Sequence, residues 1–243
     1  MNPLLEVFLI FVLAEIRIWV FDGMGFITFL ATALPISLAF YSWYKRDYCE
    51  ALKYNAEHQP GRFSNIPLNQ KRKAAFFYTL EILGLRRITL KMRVPYDNKE
   101  IILTFFQLWI FVVGLGFYFN PRVLSTIPII PAITVFIGYY FWALLQQLWM
   151  NGYFINRIGS KINGIKTRSI TALLFAIIHL PNPTLFIATF IGGYLSAYYW
   201  QRNRNLYPLA LFHALLAVTI KYFLPYEWHH NLTIGYGFYH WSP

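Results

Sequence analysis

The sequence predicts an all-helical protein embedded in a membrane, and three observations support this fold class. Of the 243 residues, 57% are hydrophobic and only 13% are charged, which is too few charges to cover a soluble surface of this size. Several stretches without a charged residue are long enough to cross a bilayer. The basic residues are concentrated in a single polar stretch, which is a membrane-topology signal. We therefore expect neither a soluble enzyme nor a nucleic-acid partner, despite the net charge of +11.

The uncharged stretches predict a polytopic helical bundle of about seven or eight transmembrane helices. A first span at residues 3–21 is weaker, because Glu6, Glu15 and Arg17 interrupt it. Residues 170–201 are divided by Pro181 and Pro183, so they indicate a short helical hairpin that returns to the same side. The uncharged stretches are 23–44, 101–121, 123–156, 170–201 and 206–220.

The charge distribution predicts the orientation of the bundle. Residues 45–99 contain 12 of the 21 Lys and Arg residues, so we place this loop in the cytoplasm. The amino terminus is then cytoplasmic, the carboxyl terminus lies outside, and 18 of the 21 basic residues face the cytoplasm. The most natural setting is a bacterial inner (plasma) membrane. The first helix lacks a cleavable-signal pattern and should be retained.

These features divide the chain into four regions. Two transmembrane helices occupy 1–44, and a basic cytoplasmic loop at 45–100 carries an amphipathic helix near 70–87 that suits anionic headgroups or the bundle surface. The helical core spans 101–223, and an aromatic tail at 224–243 suits the outer interface or a partner. Cys49 is the only cysteine, so no intrachain disulfide can form.

Polar side chains at membrane depth are costly and therefore mark candidate sites. Gln146 and Gln147 are adjacent near the end of one span, and Asn151 follows four residues after Gln147 on the same helical face. His179 lies on the hairpin and His213 on the last span. We expect these groups to share one cavity in the cytoplasmic half of the membrane, although polar residues that simply join helices are an alternative.

The sequence around these residues resembles a known family. Gln146-Gln147 with Asn151, then Phe175-x-x-x-His179, then His213-x-x-x-Ala217 resemble, in order and spacing, the three motifs of the CPBP family. This family comprises type II CAAX prenyl endopeptidases and bacteriocin-processing proteins, which are intramembrane glutamic proteases. The resemblance covers about residues 126–223 and implies a membrane-helical core. It also implies that these seven motif residues occupy the catalytic positions.

The motifs depart from the family pattern where the chemistry depends on them. The family has Glu-Glu-x-x-x-Arg in the first motif and His-x-x-x-Asn in the third, whereas this chain has Gln146, Gln147, Asn151 and Ala217. The resemblance implies that a glutamate, helped by histidine, activates water to cleave a peptide bond near the membrane face. A carboxylate accepts a proton as general base, and an amide does not. No acidic residue lies between Ile101 and Tyr226.

These departures predict a pseudoprotease that binds or scaffolds a membrane protein or peptide, in contact with membrane lipids. Two alternatives remain: an active CPBP-type endopeptidase, either an engineered Glu-to-Gln form or one driven by histidine, and an accessory subunit of a membrane complex. We expect no cofactor and no metal, because two histidines alone make a poor zinc site. A second possible metal-binding cluster lies in the tail, at Glu227, His229, His230 and His240.

Overall fold

The computed structural model describes residues 3–20, 99–162 and 164–240, and every regular element in these ranges is a helix. The second predicted span at 23–44, Cys49 and the amphipathic helix at 70–87 lie outside the described residues. In chain order the helices are α1 (Pro3–Val20), α2 (Lys99–Phe119), α3 (Val123–Thr126), α4 (Ile129–Gln147), a π-helix (Leu148–Ile155), α5 (Asn156–Gly159), α6 (Ile165–Ile177), α7 (Pro183–Asn203), α8 (Leu206–Phe223), α9 (Tyr226–His229), a 3₁₀ helix (His230–Leu232) and α10 (Tyr236–His240).

Three helical segments of the described chain are long and apolar enough to cross a membrane. They are Ile102–Phe119, Ile129–Gly159 and Leu206–Phe223. Many of their large apolar side chains face outward, as expected for a surface whose solvent is lipid. The predicted all-helical class is confirmed for this part of the chain, and so are the apolar spans predicted from the stretches 101–121, 123–156 and 206–220.

Helix α8 occupies the centre of the bundle and packs against α2 and α4. At its contact with α4, Ala143, Ala210 and Ala214 have no exposed surface. Small side chains let two helix backbones approach closely, and this is the usual basis of helix packing in membranes, where lipid removes the hydrophobic driving force. The close contact holds the α4 residues that follow Ala143 beside the first turns of α8.

The π-helix continues α4 without a break and ends in α5. Its backbone pattern of i→i+5 hydrogen bonds widens the helix and changes the direction of the side chains that follow. Met150, Asn151 and Phe154 are almost completely buried as a result. A π-helical segment inside a longer helix commonly marks a functional position.

The hairpin predicted at residues 170–201 consists of α6, a turn at 178–182 and α7. With 13 residues, α6 is about 20 Å long, which is shorter than a bilayer core of about 30 Å. Two side chains of the turn, His179 and Asn182, are buried, and Asn182 Oδ1 accepts a hydrogen bond from the backbone N–H of Leu185. Asn182 thereby caps the first turn of α7.

The segment from Tyr226 to His240, called here the cap segment, folds over the hairpin turn. The Asn182 side-chain amide donates to the carbonyl oxygens of His229 at 2.8 Å and Thr233 at 3.1 Å. The Gly235 N–H donates to the Leu180 carbonyl at 2.8 Å. Gly235 has φ of 57° and lies directly against Ile18 of α1, so a side chain there would be both strained and obstructed. The cap segment therefore joins the hairpin turn to α1.

Helix α1 is held to the π-helix and α5 by a buried polar cluster. Tyr153 donates a hydrogen bond to Glu6 at 2.6 Å, and Arg157 Nε lies 3.4 Å from the same carboxylate oxygen. The exposed fractions of Glu6 and Arg157 are 2% and 7%. Glu6 interrupts the first predicted span, and Arg157 is one of the 18 basic residues predicted to face the cytoplasm. The structure instead places both at a helix–helix contact.

We expect Glu6→Leu to destabilise the protein by about 3 kcal/mol or more, because it removes the carboxylate from a buried ion pair and leaves the Arg157 charge in place. The apparent melting temperature in detergent would measure the loss. The matched control is Glu15→Leu. Glu15 lies on the same helix, but its hydrogen bond from Trp19 is exposed. Full recovery of the melting temperature in the Glu6→Leu, Arg157→Leu double variant would support the coupling, and an unchanged value in Glu6→Leu would contradict it.

Candidate functional site

A cavity of about 150 Å³ lies between α2, α4, α6, α7 and α8, with the cap segment at one end. Most of its walls are apolar, including Phe105 of α2 and Leu216 of α8, while Leu232 and Ile234 line it from the cap segment. Among the described residues that line it, none is charged. Its polar side chains are Tyr139, Trp142, Gln146, Gln147, His179, Thr189, Ser196 and His213.

A chain of hydrogen bonds connects the first motif to the third. The Asn151 side-chain amide donates to Gln147 Oε1 at 2.6 Å, and Gln147 Nε2 lies 3.1 Å from His213 Nδ1. An amide nitrogen only donates, so Nδ1 of His213 must be the acceptor and the ring proton must lie on Nε2. His213 therefore offers an N–H to the cavity from its remaining nitrogen.

His179 is held in the opposite tautomer by the hairpin. Its Nδ1 lies 2.7 Å from the carbonyl oxygen of Phe175, one helical turn earlier. A carbonyl only accepts, so Nδ1 carries the proton and Nε2 of the neutral ring is left as an acceptor. His179 is 6% exposed and lines the cavity. The two imidazoles thus present one donor and one acceptor.

Phe175 orients both histidines. Its ring packs edge-to-face against His179, with 4.9 Å between the ring centroids, and against His213 at 5.8 Å. Behind it, α6 and α7 approach closely at Gly193, where an added Cβ would lie 3.4 Å from the Phe175 ring. Such edge-to-face contacts are the preferred arrangement of neighbouring rings. The Phe-x-x-x-His spacing therefore brings an aromatic support on the last turn of α6 beside an imidazole in the turn that follows it.

The structure brings together all seven residues selected from the sequence. Gln146, Gln147, Phe175, His179, His213 and Ala217 line the cavity. Asn151 is fully buried and reaches the site through its hydrogen bond to Gln147. Gln146 Oε1 is buried and has no hydrogen-bond partner among the described residues. Ala217, one turn after His213, offers no polar group where the family motif has an asparagine.

Several site features have no counterpart in the sequence analysis. Thr189 and Ser196 line the α7 wall, and Leu232 and Ile234 close the cap-segment end. Thr189 would not be selected as a site residue from the sequence, because a threonine in an apolar helix commonly donates its hydroxyl to a carbonyl of the same helix, as Thr189 does to Leu185. The contribution of the cap segment depends on long-range contacts to Asn182, so no local pattern would have indicated it.

The tail histidines lie against aromatic rings. The His230 ring lies tilted against Phe238 with 4.4 Å between ring centroids, and the His240 ring lies 3.9 Å from that of Tyr236. His229 is buried beside Tyr226, and burial lowers the pKa of its imidazole. In the described parts of the chain, no three His, Cys, Asp or Glu side chains gather closely enough to hold a metal ion.

Comparison with known proteins gives a family match within the helical core. Residues 128–219 match the family described as type II CAAX prenyl endopeptidase, Rce1-like. The segment contains every motif residue of the site, and the predicted family resemblance is confirmed over this range. The three apolar segments suit a membrane protein of this kind. No curated protein and no solved structure gave a significant match.

Proposed function

We propose that this protein is a catalytically degenerate CPBP-type intramembrane protease that binds or scaffolds a membrane protein or peptide in its cavity without cleaving it. The observation that carries the proposal is the hydrogen bond from Gln147 Nε2 to His213 Nδ1. At the position where the family has a carboxylate, this chain has an amide that donates a hydrogen bond to the histidine and cannot accept a proton from water. The cavity and its apolar walls remain, and these suffice for binding.

The chemistry of the site supports binding over hydrolysis. Peptide hydrolysis needs a group that removes a proton from water as the nucleophile attacks. The first motif offers only the amides of Gln146, Gln147 and Asn151. The third motif has Ala217 where an asparagine would donate to the developing oxyanion. His179 retains a free acceptor, but none of the described residues that line the cavity is a carboxylate that could stabilise its charged form.

In the proposed protein, each region of the chain has a place relative to the membrane. The core at 101–223 forms the binding site, residues 1–44 add two membrane helices, and the count of transmembrane helices is seven or eight. The basic loop at 45–100 contacts anionic lipid on the cytoplasmic side of a bacterial inner membrane. The tail at 224–243 lies outside, and the partner is a membrane protein or peptide.

Site-specific photocrosslinking tests the binding function. Ile191 lines the cavity and is 43% exposed, whereas Ile137 on α4 is 53% exposed and does not line it. A photoreactive amino acid at Ile191 should capture a discrete membrane protein or peptide in intact cells, and the same amino acid at Ile137 should capture only lipid. Equal capture from both positions would contradict a partner in the cavity.

Cysteine labelling tests the proposed orientation. Cys49, the only cysteine, lies in the basic loop, so an impermeant maleimide should label it only after the membrane is permeabilised. In a Cys49→Ser background, Tyr239→Cys should be labelled in intact cells, since Tyr239 is 65% exposed on the cap segment. Strong labelling of Cys49 in intact cells would overturn the orientation.

A further inference from the structure

We infer that the cavity binds an uncharged carboxamide group at the end of an apolar chain or segment, which enters from the bilayer beside Gly192. The inference rests on the proposed binding function and specifies the chemistry of the occupant. It depends on the charge of the walls, on the hydrogen-bonding groups left free at the histidines, and on an opening in the α7 wall.

The walls favour an uncharged ligand. None of the described lining residues is Asp, Glu, Lys or Arg. A hydrogen bond at Nδ1 fixes the tautomer of each neutral imidazole, at His179 and at His213. A charged group brought into this cavity would be desolvated without an opposite charge, which is strongly unfavourable.

The free hydrogen-bonding groups fit a carboxamide. His213 Nε2–H is a donor, His179 Nε2 is an acceptor, and Gln146 Oε1 is a second acceptor that is buried and has no partner among the described residues. A carboxamide carries two N–H donors and one carbonyl acceptor, so it can pair with these two acceptors and this donor, and the Gln146 side-chain amide supplies further N–H donors beside them. A carboxylate offers no donor, and an ammonium offers no acceptor.

The wall beside Gly192 provides the route of entry. Gly192 lines the cavity, and a Cβ added there would meet nothing within 4 Å. Its neighbour Ile191 also lines the cavity and is 43% exposed, so the α7 wall reaches the lipid-facing surface here. A volume of about 150 Å³ corresponds to roughly five water molecules. The cavity therefore admits a polar end and a few carbons, and the rest of the chain stays in the bilayer.

Four probes of equal length test the chemistry of the ligand: decanamide, decanoate, decylamine and decane, each added to the full purified chain in detergent. Decanamide at a hundredfold excess over its Kd should raise the apparent melting temperature by about 5 °C. The charged probes should give no saturable shift. An equal shift with decane would show apolar filling only, and a larger shift with decanoate or decylamine would show a charged ligand; either result would overturn the inference.

Matched glycine variants place the binding in the cavity. Gly192→Leu should abolish the decanamide shift by filling the opening, whereas Gly138→Leu, also in open space but outside the cavity, should retain it. His213→Phe should raise the apparent Kd for decanamide at least tenfold, because the substituted ring has no N–H donor. Decanamide binding that persists unchanged in Gly192→Leu would contradict the proposed site.

Two sources could carry the carboxamide, and a peptide arm separates them. A membrane-spanning polyleucine peptide with one Asn should compete with decanamide if a partner side chain is the source, and the all-Leu peptide should not. Competition by neither peptide would assign the amide to a lipid. If a partner is captured at Ile191 but decanamide does not bind, only this inference is overturned. If no partner is captured at Ile191, the proposed function itself is contradicted.

Discussion

Purified in detergent, the unmodified chain should cleave none of a panel of membrane-anchored peptides. The family reaction depends on a carboxylate general base, and its loss typically lowers the rate by a factor of about 10²–10⁴. Gln147 cannot substitute, because its amide nitrogen is committed to His213 at 3.1 Å. The absence of an oxyanion donor at Ala217 should compound the loss, since residues that stabilise one transition state act as a unit. Mass spectrometry of the peptides measures the outcome.

Stepwise restoration provides the control for this prediction. Gln146→Glu alone should not recover cleavage, because the Gln147 amide would still donate to His213. Adding Gln147→Glu, Asn151→Arg and Ala217→Asn rebuilds the complete motif set and is the variant in which activity could return. His179→Ala and His213→Ala should match the unmodified chain in showing no cleavage. Histidine-dependent cleavage by the unmodified chain would contradict the pseudoprotease proposal.

Asn182→Leu should lower the apparent melting temperature by about 10 °C. The substitution removes three hydrogen bonds, to the His229 and Thr233 carbonyls and from the Leu185 N–H, at a position with no exposed surface. Backbone groups left unsatisfied in a buried site cost about 1–3 kcal/mol each, so a loss of about 3 kcal/mol or more is expected. In a chain of this size, 1 kcal/mol corresponds to roughly 2–4 °C.

The matched control for this change is Asn120→Leu. Asn120 is exposed and accepts one hydrogen bond, from the Arg122 N–H at 3.1 Å. Its replacement should shift the melting temperature by no more than about 2 °C, because water can satisfy the exposed groups. Equal shifts for the two variants would show that Asn182 does not hold the cap segment on the hairpin.

The helical core was predictable because its signals are local. An uncharged stretch at 206–220 predicted a span that the structure places at Leu206–Phe223. The two prolines at 181 and 183 predicted the hairpin break, and the i, i+4 spacing predicted that Asn151 would meet Gln147. These inferences need only helix geometry and the width of a bilayer.

The remaining features depend on contacts between distant parts of the chain. Glu6 meets Tyr153 across 147 positions, so neither residue's local sequence indicates the pair. The π-helix after Gln147 has no composition that distinguishes it from α4. In the cap segment, His230, Asn231 and Leu232 all have positive φ values, although none is a glycine. Such backbone conformations persist only where the surrounding structure holds them, as the hydrogen bond from Lys221 to Asn231 does here.

The mass of a partner captured through Ile191 tests most directly whether the cavity binds its partner without cleaving it. The partner would be crosslinked in intact cells, in the unmodified background and in His179→Ala and His213→Ala backgrounds, and its mass followed over hours in native membranes. We predict that the full-length partner is recovered with undiminished yield in the unmodified background. A shortened partner that appears in the unmodified background and not in the histidine variants would show that the cavity cleaves what it binds.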